Sequence, residues 1–167
     1  MTSTDILALI QTVFNDCGLD GANVTDAHKT NILKKTPYAT VSCGDDVLTQ
    51  DVDLVGIVRT TDTETRYKQR YVRVIPVEVE ITHKTNSDAE VLALLFLAAL
   101  PSKTVVNDVW VKIKAEKVQR KVFAEDKLVG VKDAKSVVAI KITEPIISTE
   151  TRTLIKTINL TYTVKEA

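Results

Sequence analysis

Cysteine, histidine, net charge and long apolar runs are all scarce in this 167-residue chain. The only two cysteines, Cys17 and Cys43, are too few for a disulfide framework and lack metal-site spacing, so we read them as reduced core thiols. The 22 basic and 22 acidic residues cancel, so charge gives no reason to expect binding to nucleic acid or to an anionic membrane. The longest apolar run, Val91–Leu100, is too short to span a bilayer.

The N-terminal residues do not have the pattern of a secretory signal. No basic segment precedes an apolar run there, and Asp5 and other polar residues open the chain. We therefore expect a soluble protein made in the cytosol. A hydrophobic content of 44% is enough for a core, and the length predicts one domain over residues 1–167.

Signatures of catalysis are also missing. His28 and His83 have no acidic or thiol neighbour at metal-ligand spacing, and Ala134 stands where a phosphate-binding loop needs glycine. Glu78 and Glu80 alternate on one strand face, where exposure to solvent explains them better than acid–base chemistry. The sequence thus predicts no enzyme, no cofactor and no metal. The alternative is a small-molecule enzyme or binding domain, which needs a pocket holding a histidine beside perturbed carboxylates.

The clearest pattern in the chain is a strand followed by a helix, between Tyr67 and Leu100. Apolar residues alternate with polar ones at Val77, Val79 and Ile81, as in a sheet with one buried face. Ser87 and Glu90 have the spacing of a capping box, and Pro101 stops the helix.

That helix is apolar on nearly every side from Val91 to Leu100. One sheet face covers only one stripe of a helix. We therefore expect this helix to lie under other segments of the chain or to contact a neighbouring subunit.

The remaining elements are predicted from the periodicity of apolar residues and from the residues that typically begin or end a helix or strand. A helix is predicted from Thr4 to Cys17, with Thr4 as N-cap and Gly18 after its end, and a short helical turn is predicted around Ala27–Leu33. Alternation predicts strands at Tyr38–Cys43, Val52–Arg59, Val109–Val122, Val138–Thr143 and Ile158–Val164.

Several turns and breaks are predicted as well. Thr60–Thr65 has no apolar residue and is predicted to be an exposed hairpin loop, and Glu125–Lys135 is predicted to be a charged connection. Pro76 is predicted to mark an edge or a bulge, and Pro145 to break its strand before polar Ser148–Thr153. The predicted class is α+β, with a mainly antiparallel (mixed) sheet packed against two helices and a long C-terminal β-hairpin region.

The order of these elements resembles a known protein family. An N-terminal helix with Ser3-Thr4-Asp5-Ile6-Leu7-Ala8-Leu9-Ile10 precedes the Pro-led strand Pro37-Tyr38-Ala39-Thr40-Val41-Ser42-Cys43-Gly44. Val77-Glu78-Val79-Glu80-Ile81 then leads into the helix from Ser87 to Leu100, and Ile158-Asn159-Leu160-Thr161-Tyr162-Thr163-Val164 lies almost at the terminus. This arrangement resembles the tail terminator (tail completion) proteins of tailed bacteriophages over roughly residues 1–100 and 154–167.

The resemblance implies a non-enzymatic virion protein that forms a homo-oligomeric ring, usually of six copies. Such a ring caps the tail tube, stops the addition of tube protein and presents a surface to the head–tail connector proteins. The implied location is the virion tail, after assembly in the host cytoplasm. The alternative within the same class is another virion assembly protein, from the neck, tube or coat.

Residues for partner contacts are sought in exposed loops and charged strands. The candidates are Asp45, Asp46, Thr60, Asp62, Glu64, Arg66, Lys112, Lys114, Lys117, Arg120 and Lys121. The basic strand within this set also contains Glu116 and has few aromatic neighbours, so nucleic-acid recognition is not expected.

Overall fold

A computed structural model of the chain describes residues 1–29, 35–60, 62–121 and 134–153. These residues form two α-helices and seven β-strands, which confirms the predicted α+β class. The bounds are α1 Ser3–Asp16, β1 Val24–Asp26, β2 Tyr38–Cys43, β3 Val47–Arg59, β4 Thr63–His83, α2 Asn86–Ala99, β5 Lys103–Val106, β6 Val109–Lys121 and β7 Ala134–Thr153. Two 3₁₀ turns, Gly21–Asn23 and Ala27–Lys29, lie on either side of β1.

The seven described strands form one mixed sheet in the order β1-β2-β4-β7-β6-β5, and β3 also pairs with β4. Only the β1–β2 pair is parallel among the described strand pairs. Consecutive strands β6 and β7 pair antiparallel from Lys112–Thr143 to Lys121–Lys135. This pairing is the predicted C-terminal hairpin, and its connection lies outside the described residues.

The first helix begins slightly earlier than predicted. Its N-cap is Thr2 rather than Thr4: the Thr2 hydroxyl accepts from the Asp5 amide at 3.2 Å, and the Asp5 carboxylate accepts from the Thr2 amide at 2.6 Å. Gly18 follows the end of the helix with a φ of +83°, as predicted, because glycine enters this region without steric cost. The helix buries Ile6, Ile10, Val13 and Phe14.

The second helix also has a different cap from the predicted one. The Thr85 hydroxyl accepts from the Asp88 amide at 3.1 Å, so the cap lies two residues before Ser87. The Thr85 hydroxyl also donates to the Asp88 carboxylate at 2.7 Å, which fixes the first turn. The helix ends at Ala99, before Pro101, as predicted.

β4 is central in the sheet. It pairs with β7 on one side, and on its other side it pairs with β2 over one half of its length and with β3 over the other half. β2 pairs with Val77–Thr82 and β3 pairs with Glu64–Val74. Pro76 lies between these two pairings. The chain advances four residues from Cys43 to Val47 while β4 advances three from Val77 to Val74, so one extra residue lies opposite this part of β4, as in the predicted bulge. The Pro76 carbonyl accepts from the Gly44 amide at 2.9 Å, and its missing N–H falls where no ladder partner is needed.

β7 continues through Pro145 to Thr153, so the predicted break at this proline is wrong. The pairing with β6 ends at Thr143, whereas the pairing with β4 continues to Thr153. Beyond Thr143 the described part of the sheet therefore gives β7 a neighbour on one side only. A proline is tolerated there because that side has no ladder to interrupt.

The core lies between the two helices and one face of the sheet. The aromatic rings of Phe14 and Phe96 meet at its centre, and both residues are fully buried. Alternate residues of the central strands face them, as predicted for β4 and β7: Val77, Val79, Ile81, Val138, Ile140 and Ile142. In β6 the buried positions are Val111 and Ile113, whereas Val118 is exposed.

Two strands of the described chain were not predicted. β1 is a short parallel strand next to β2, and β5 pairs with β6 through a two-residue turn. Asn107 and Asp108 of this turn have φ values of 50° and 63°. Positive φ at both positions matches the twist of a tight hairpin, and Asn and Asp adopt it more readily than most residues.

Other predictions lie wholly or partly outside the described residues. These are the closing strand Ile158–Val164, most of the connection Glu125–Lys135 and the later part of the turn Ala27–Leu33. The strand predicted at Val52–Arg59 is confirmed and begins earlier, at Val47.

Candidate interaction surfaces

The most unusual part of the structure is a three-stranded arm built from β3, Thr63–Val74 of β4 and Glu144–Thr153 of β7. Buried hydrophobic residues of β4 begin at Ile75, and those of β7 end at its cross-strand partner Ile142. The arm therefore extends the sheet beyond the core. Its exposed large apolar residues are Val47, Leu48, Val52, Leu54, Val55, Ile57, Val58, Tyr71, Ile146 and Ile147.

The two faces of the arm differ in chemistry. Residues directly opposite one another in neighbouring strands share a face. By this register one face of the outer arm carries Val58, Thr65, Tyr67, Ile147, Thr149 and Thr151, and we call it the threonine face. The hydroxyl oxygens of Thr65 and Thr151 lie 3.2 Å apart, which places both side chains on this face.

The opposite face of the arm, which we call the charged face, carries Arg59, Glu64, Arg66, Lys68, Glu150 and Arg152. Glu150 lies 2.9 Å from the Lys68 ammonium and 2.6 Å from the Arg152 guanidinium. Hydrogen bonds from Lys68 and then Arg152 lower the pKa of Glu150 to about 2. Each cation of this face thus has a carboxylate partner within the chain, Glu64 or Glu150.

The threonine face lies on the side of the sheet opposite the helices. Glu150 and Ile142 are an even number of residues apart on β7, so they face the same side. Ile142 belongs to the core under the helices. The charged face therefore continues the helix side of the sheet, and the threonine face continues the other side.

A second exposed apolar surface lies on α2. The helix buries Ala89, Ala93 and Phe96 against the core. Its other side, the outer face of α2, carries Ser87, Val91, Leu94, Leu95 and Ala98, all exposed. The sequence indicated a helix too apolar for one sheet face, and the structure shows which residues remain uncovered: Leu94 is 57% exposed.

The predicted loop Thr60–Thr65 is only partly a loop. Thr60 and Asp62 lie in the exposed turn between β3 and β4, and the Thr60 amide donates to the Thr63 carbonyl at 2.9 Å. Glu64 is only 5% exposed, so its assignment to an exposed loop is wrong.

The burial of Glu64 follows from two arginines that hold its carboxylate. The guanidinium of Arg66 lies at 2.5 Å and that of Arg59 at 2.7 Å. Their hydrogen bonds lower the pKa of Glu64, with Arg66 as the larger cause. Arg59 had not been singled out from the sequence, although its charge and its place at the end of a strand were visible there.

The predicted acidic pair lies at the base of the arm, in the connection between β2 and β3. Asp45 and Asp46 are both exposed. Asp46 forms an ion pair with Arg73, which lowers the pKa of Asp46. Arg73 also donates to the Met1 carbonyl at 2.9 Å, so Asp46 already takes part in an internal network.

The predicted basic residues of β6 lie away from the arm tip. Lys112, Lys114 and Lys117 are exposed and share the sheet face opposite the helices, as their partners Thr143, Lys141 and Ala139 show. Arg120 and Lys121 lie in the same strand, where the structure describes only their backbone. The structure therefore does not bring the predicted partner-binding residues into one site.

A shallow pocket contains one of the two histidines. It is lined by Ser3, Leu7, Asp26, His28, Val41 and Cys43. Burial raises the pKa of the Cys43 thiol, which disfavours the thiolate that nucleophilic chemistry needs. His83 ends β4, where its Nδ1 accepts from the Lys84 amide at 2.9 Å.

Within the described ranges, no group of three or more His, Cys, Asp or Glu residues is placed to hold a metal ion. No described helix is both long and apolar enough to cross a membrane.

Comparison with known proteins assigns no family to the chain. No protein-family model matches the sequence, and no curated protein matches it. Among solved structures, it is similar to a chain described as "Virion of native gene transfer agent (GTA) particle", with a TM-score of 0.47 and 11% identity over 80% of this chain and 84% of that one. Similarity at this level establishes neither a shared family nor a function.

Proposed function

We propose that this protein is a structural component of a phage-like virion and that it works as a closed ring of identical subunits, in the manner of a tail terminator. The observation that carries the proposal is the arm, a three-stranded sheet with exposed apolar residues on both faces. A small sheet open to water on both sides gains little from hydrophobic burial and is stabilised when a partner covers it.

Two further features support self-association. The outer face of α2 exposes Val91, Leu94 and Leu95 on a second side of the molecule. The formal net charge of the chain is zero, so copies do not repel one another through net charge. Exposed apolar surfaces at two separate places are what a subunit with two neighbours requires.

The proposed role is to end tail-tube growth and to offer a surface to the head–tail connector. One side of the ring occupies the surface to which the next tube subunit would bind. Lys112, Lys114 and Lys117 form a basic row on an exposed sheet face, and Thr60 and Asp62 are exposed at the arm tip, so a partner can reach these positions. Glu64 is left out because it is buried between arginines.

Native mass spectrometry and negative-stain electron microscopy of the purified chain test this function. A single closed oligomer, seen as rings of one subunit thickness, is the expected result. Rings added to polymerising tail-tube protein should stop elongation, and the tube-length distribution measures this. Long tubes or shells would favour another virion role, and a monomer at high micromolar concentration would contradict the proposal.

A further inference from the structure

We propose that the sheet face around Trp110 binds single-stranded nucleic acid. This inference goes beyond the proposed function and does not depend on the ring. Trp110 lies at the start of β6 and is 59% exposed, whereas tryptophan side chains are on average highly buried. Three lysines surround it, and we call Trp110 with Lys103, Lys112 and Lys114 the tryptophan face.

The strand register places these four side chains on one side of the sheet. In β6 the residues that alternate with Trp110, Lys112 and Lys114 are buried in the core. Lys103 of β5 is directly opposite Lys112, so it shares the same face. The tryptophan face therefore lies on the side opposite the helices, and all four of its residues are exposed.

The lysines of the tryptophan face carry positive charge that the chain does not compensate. Within the part of the chain that the structure describes, none of the three has a carboxylate partner. In the sequence Glu116 interrupts the basic strand, but in the structure it forms an ion pair with Lys141. Asp108, in the turn before β6, is about 13 Å along the strand from Lys112. Three free ammonium groups on one face attract a polyanion.

The exposed indole favours nucleic acid over other polyanions. Bases stack on aromatic side chains with little dependence on sequence, while neighbouring cations hold the backbone. The Lys103 ammonium lies 5.5 Å from the centroid of the Trp110 ring, so a cation and a stacking surface adjoin here. An acidic peptide has no base to stack on the ring. The bases of a duplex are stacked on one another, so the ligand that can use both features is single-stranded.

The dimensions fit a short stretch of nucleotides. The row from Trp110 to Lys114 covers four steps of β6, about 13 Å in length. A stacked strand of about four nucleotides has this length at about 3.4 Å per nucleotide. Single-stranded sites in binding folds cover about 4–16 nucleotides, so the tryptophan face corresponds to a small site of this kind.

Tryptophan fluorescence of the full chain tests the proposal directly. Trp110 is the only tryptophan, so its emission reports on this face alone. Titration with an oligothymidylate of about 12 nucleotides should quench the emission and reach saturation. The logarithm of the binding constant should fall with the logarithm of salt concentration with a slope of about −2, because three lysines contribute about 0.7 each. Oligouridylate shows whether RNA binds as well as DNA, and binding of either supports the inference.

Variants separate the lysines from the ring, with anisotropy of a fluorescein-labelled oligothymidylate as the readout. Lys112→Gln should weaken binding and make the salt slope shallower by about 0.7. Trp110→Ala should weaken binding about 10-fold with the slope unchanged, and Trp110→Phe should keep most of the affinity. Lys84→Gln is the matched control, because it removes one exposed lysine beyond the far end of β4. Circular dichroism checks that each variant is folded.

Several results would overturn the inference. Absence of quenching by either oligonucleotide at low salt would exclude the site, and equal weakening by Lys112→Gln and Lys84→Gln would show attraction to the whole chain. Polyglutamate that competes as well as oligothymidylate would show a site for acidic peptides, and a duplex that quenches Trp110 equally would exclude stacking of free bases. None of these results bears on ring formation, and a monomer that binds oligothymidylate would contradict the proposed function alone.

Discussion

The rings of Phe14 and Phe96 stack with their centroids 4.6 Å apart and their planes 20° from parallel. Phe14 lies in α1 and Phe96 in α2, and neither is exposed to solvent. This contact joins the two helices over the helix side of the sheet. It also sets the rotation of α2, because burying Phe96 leaves Leu94 and Leu95 facing outward.

The stacked pair predicts a large loss of stability on truncation. Phe96→Ala should lower the free energy of unfolding by about 3–5 kcal/mol, because it removes a fully buried ring and leaves a cavity. Urea denaturation followed by circular dichroism measures the change. Leu94→Ala on the same helix is the control and should cost far less, because Leu94 is 57% exposed. Equal losses for the two variants would contradict this description of the core.

The position of the α2 cap gives a second prediction. Thr85→Ala should destabilise the protein by about 1 kcal/mol, because it removes the hydroxyl that accepts from the Asp88 amide. Ser87→Ala serves as the matched control and should change stability by less than about 0.5 kcal/mol, since Ser87 is an exposed residue beyond the cap. A larger loss of stability for Ser87→Ala than for Thr85→Ala would show instead that Ser87 is the N-cap, as the sequence predicted.

The charged face of the arm predicts an acid-sensitive stability. The pKa of Glu150 is about 2 in the folded chain, below its ordinary value of 4.5, so this carboxylate stabilises the fold above pH 4.5 and the effect is lost as pH falls toward 2. An NMR titration of the Glu150 carboxyl carbon measures the pKa directly. Lys68→Met should raise this pKa, because it removes the largest cause of the shift. A titration near 4.5 in the wild-type chain would contradict the ion pairs.

The cysteines should react slowly in the folded protein. Burial raises the pKa of both Cys17 and Cys43 above the usual value of 9.0, so the thiolate fraction at pH 7.5 is small. The rate with a thiol reagent such as DTNB should be well below that of the same chain in guanidinium chloride. Cys17→Ser and Cys43→Ser separate the two sites. A fast phase in the folded protein would show that one thiol is activated.

Local sequence patterns were sufficient for the elements whose periodicity matches one buried face. The bounds of β2 were predicted correctly because Ala39, Val41 and Cys43 alternate with polar residues between proline and glycine. The apolar spacing of Ile6, Ile10 and Val13 likewise predicted α1. In both cases the information lies within a few residues of the element itself.

Caps and breaks were harder to predict, because several residues nearby were chemically suitable. Thr2 and Thr4 can both cap a helix, and so can Thr85 and Ser87; the positions where the helices meet the core select one of each pair. Pro145 breaks a strand that needs ladders on both sides, but β6 ends its pairing with β7 at Thr143. The effect of a proline thus depends on a neighbouring strand distant in sequence.

The sequence by itself determined the class of fold, the helical and strand periods and the excess of apolar residues in α2. Only the tertiary structure decided where that excess is exposed and that the outer halves of β3, β4 and β7 form an arm with one threonine face and one charged face. The physical reason is that periodicity reports the two sides of a strand, whereas burial depends on which other segments reach it. The burial of Glu64 could not be predicted from the local sequence for the same reason, because it depends on Arg59, across the turn, and Arg66 both binding its carboxylate.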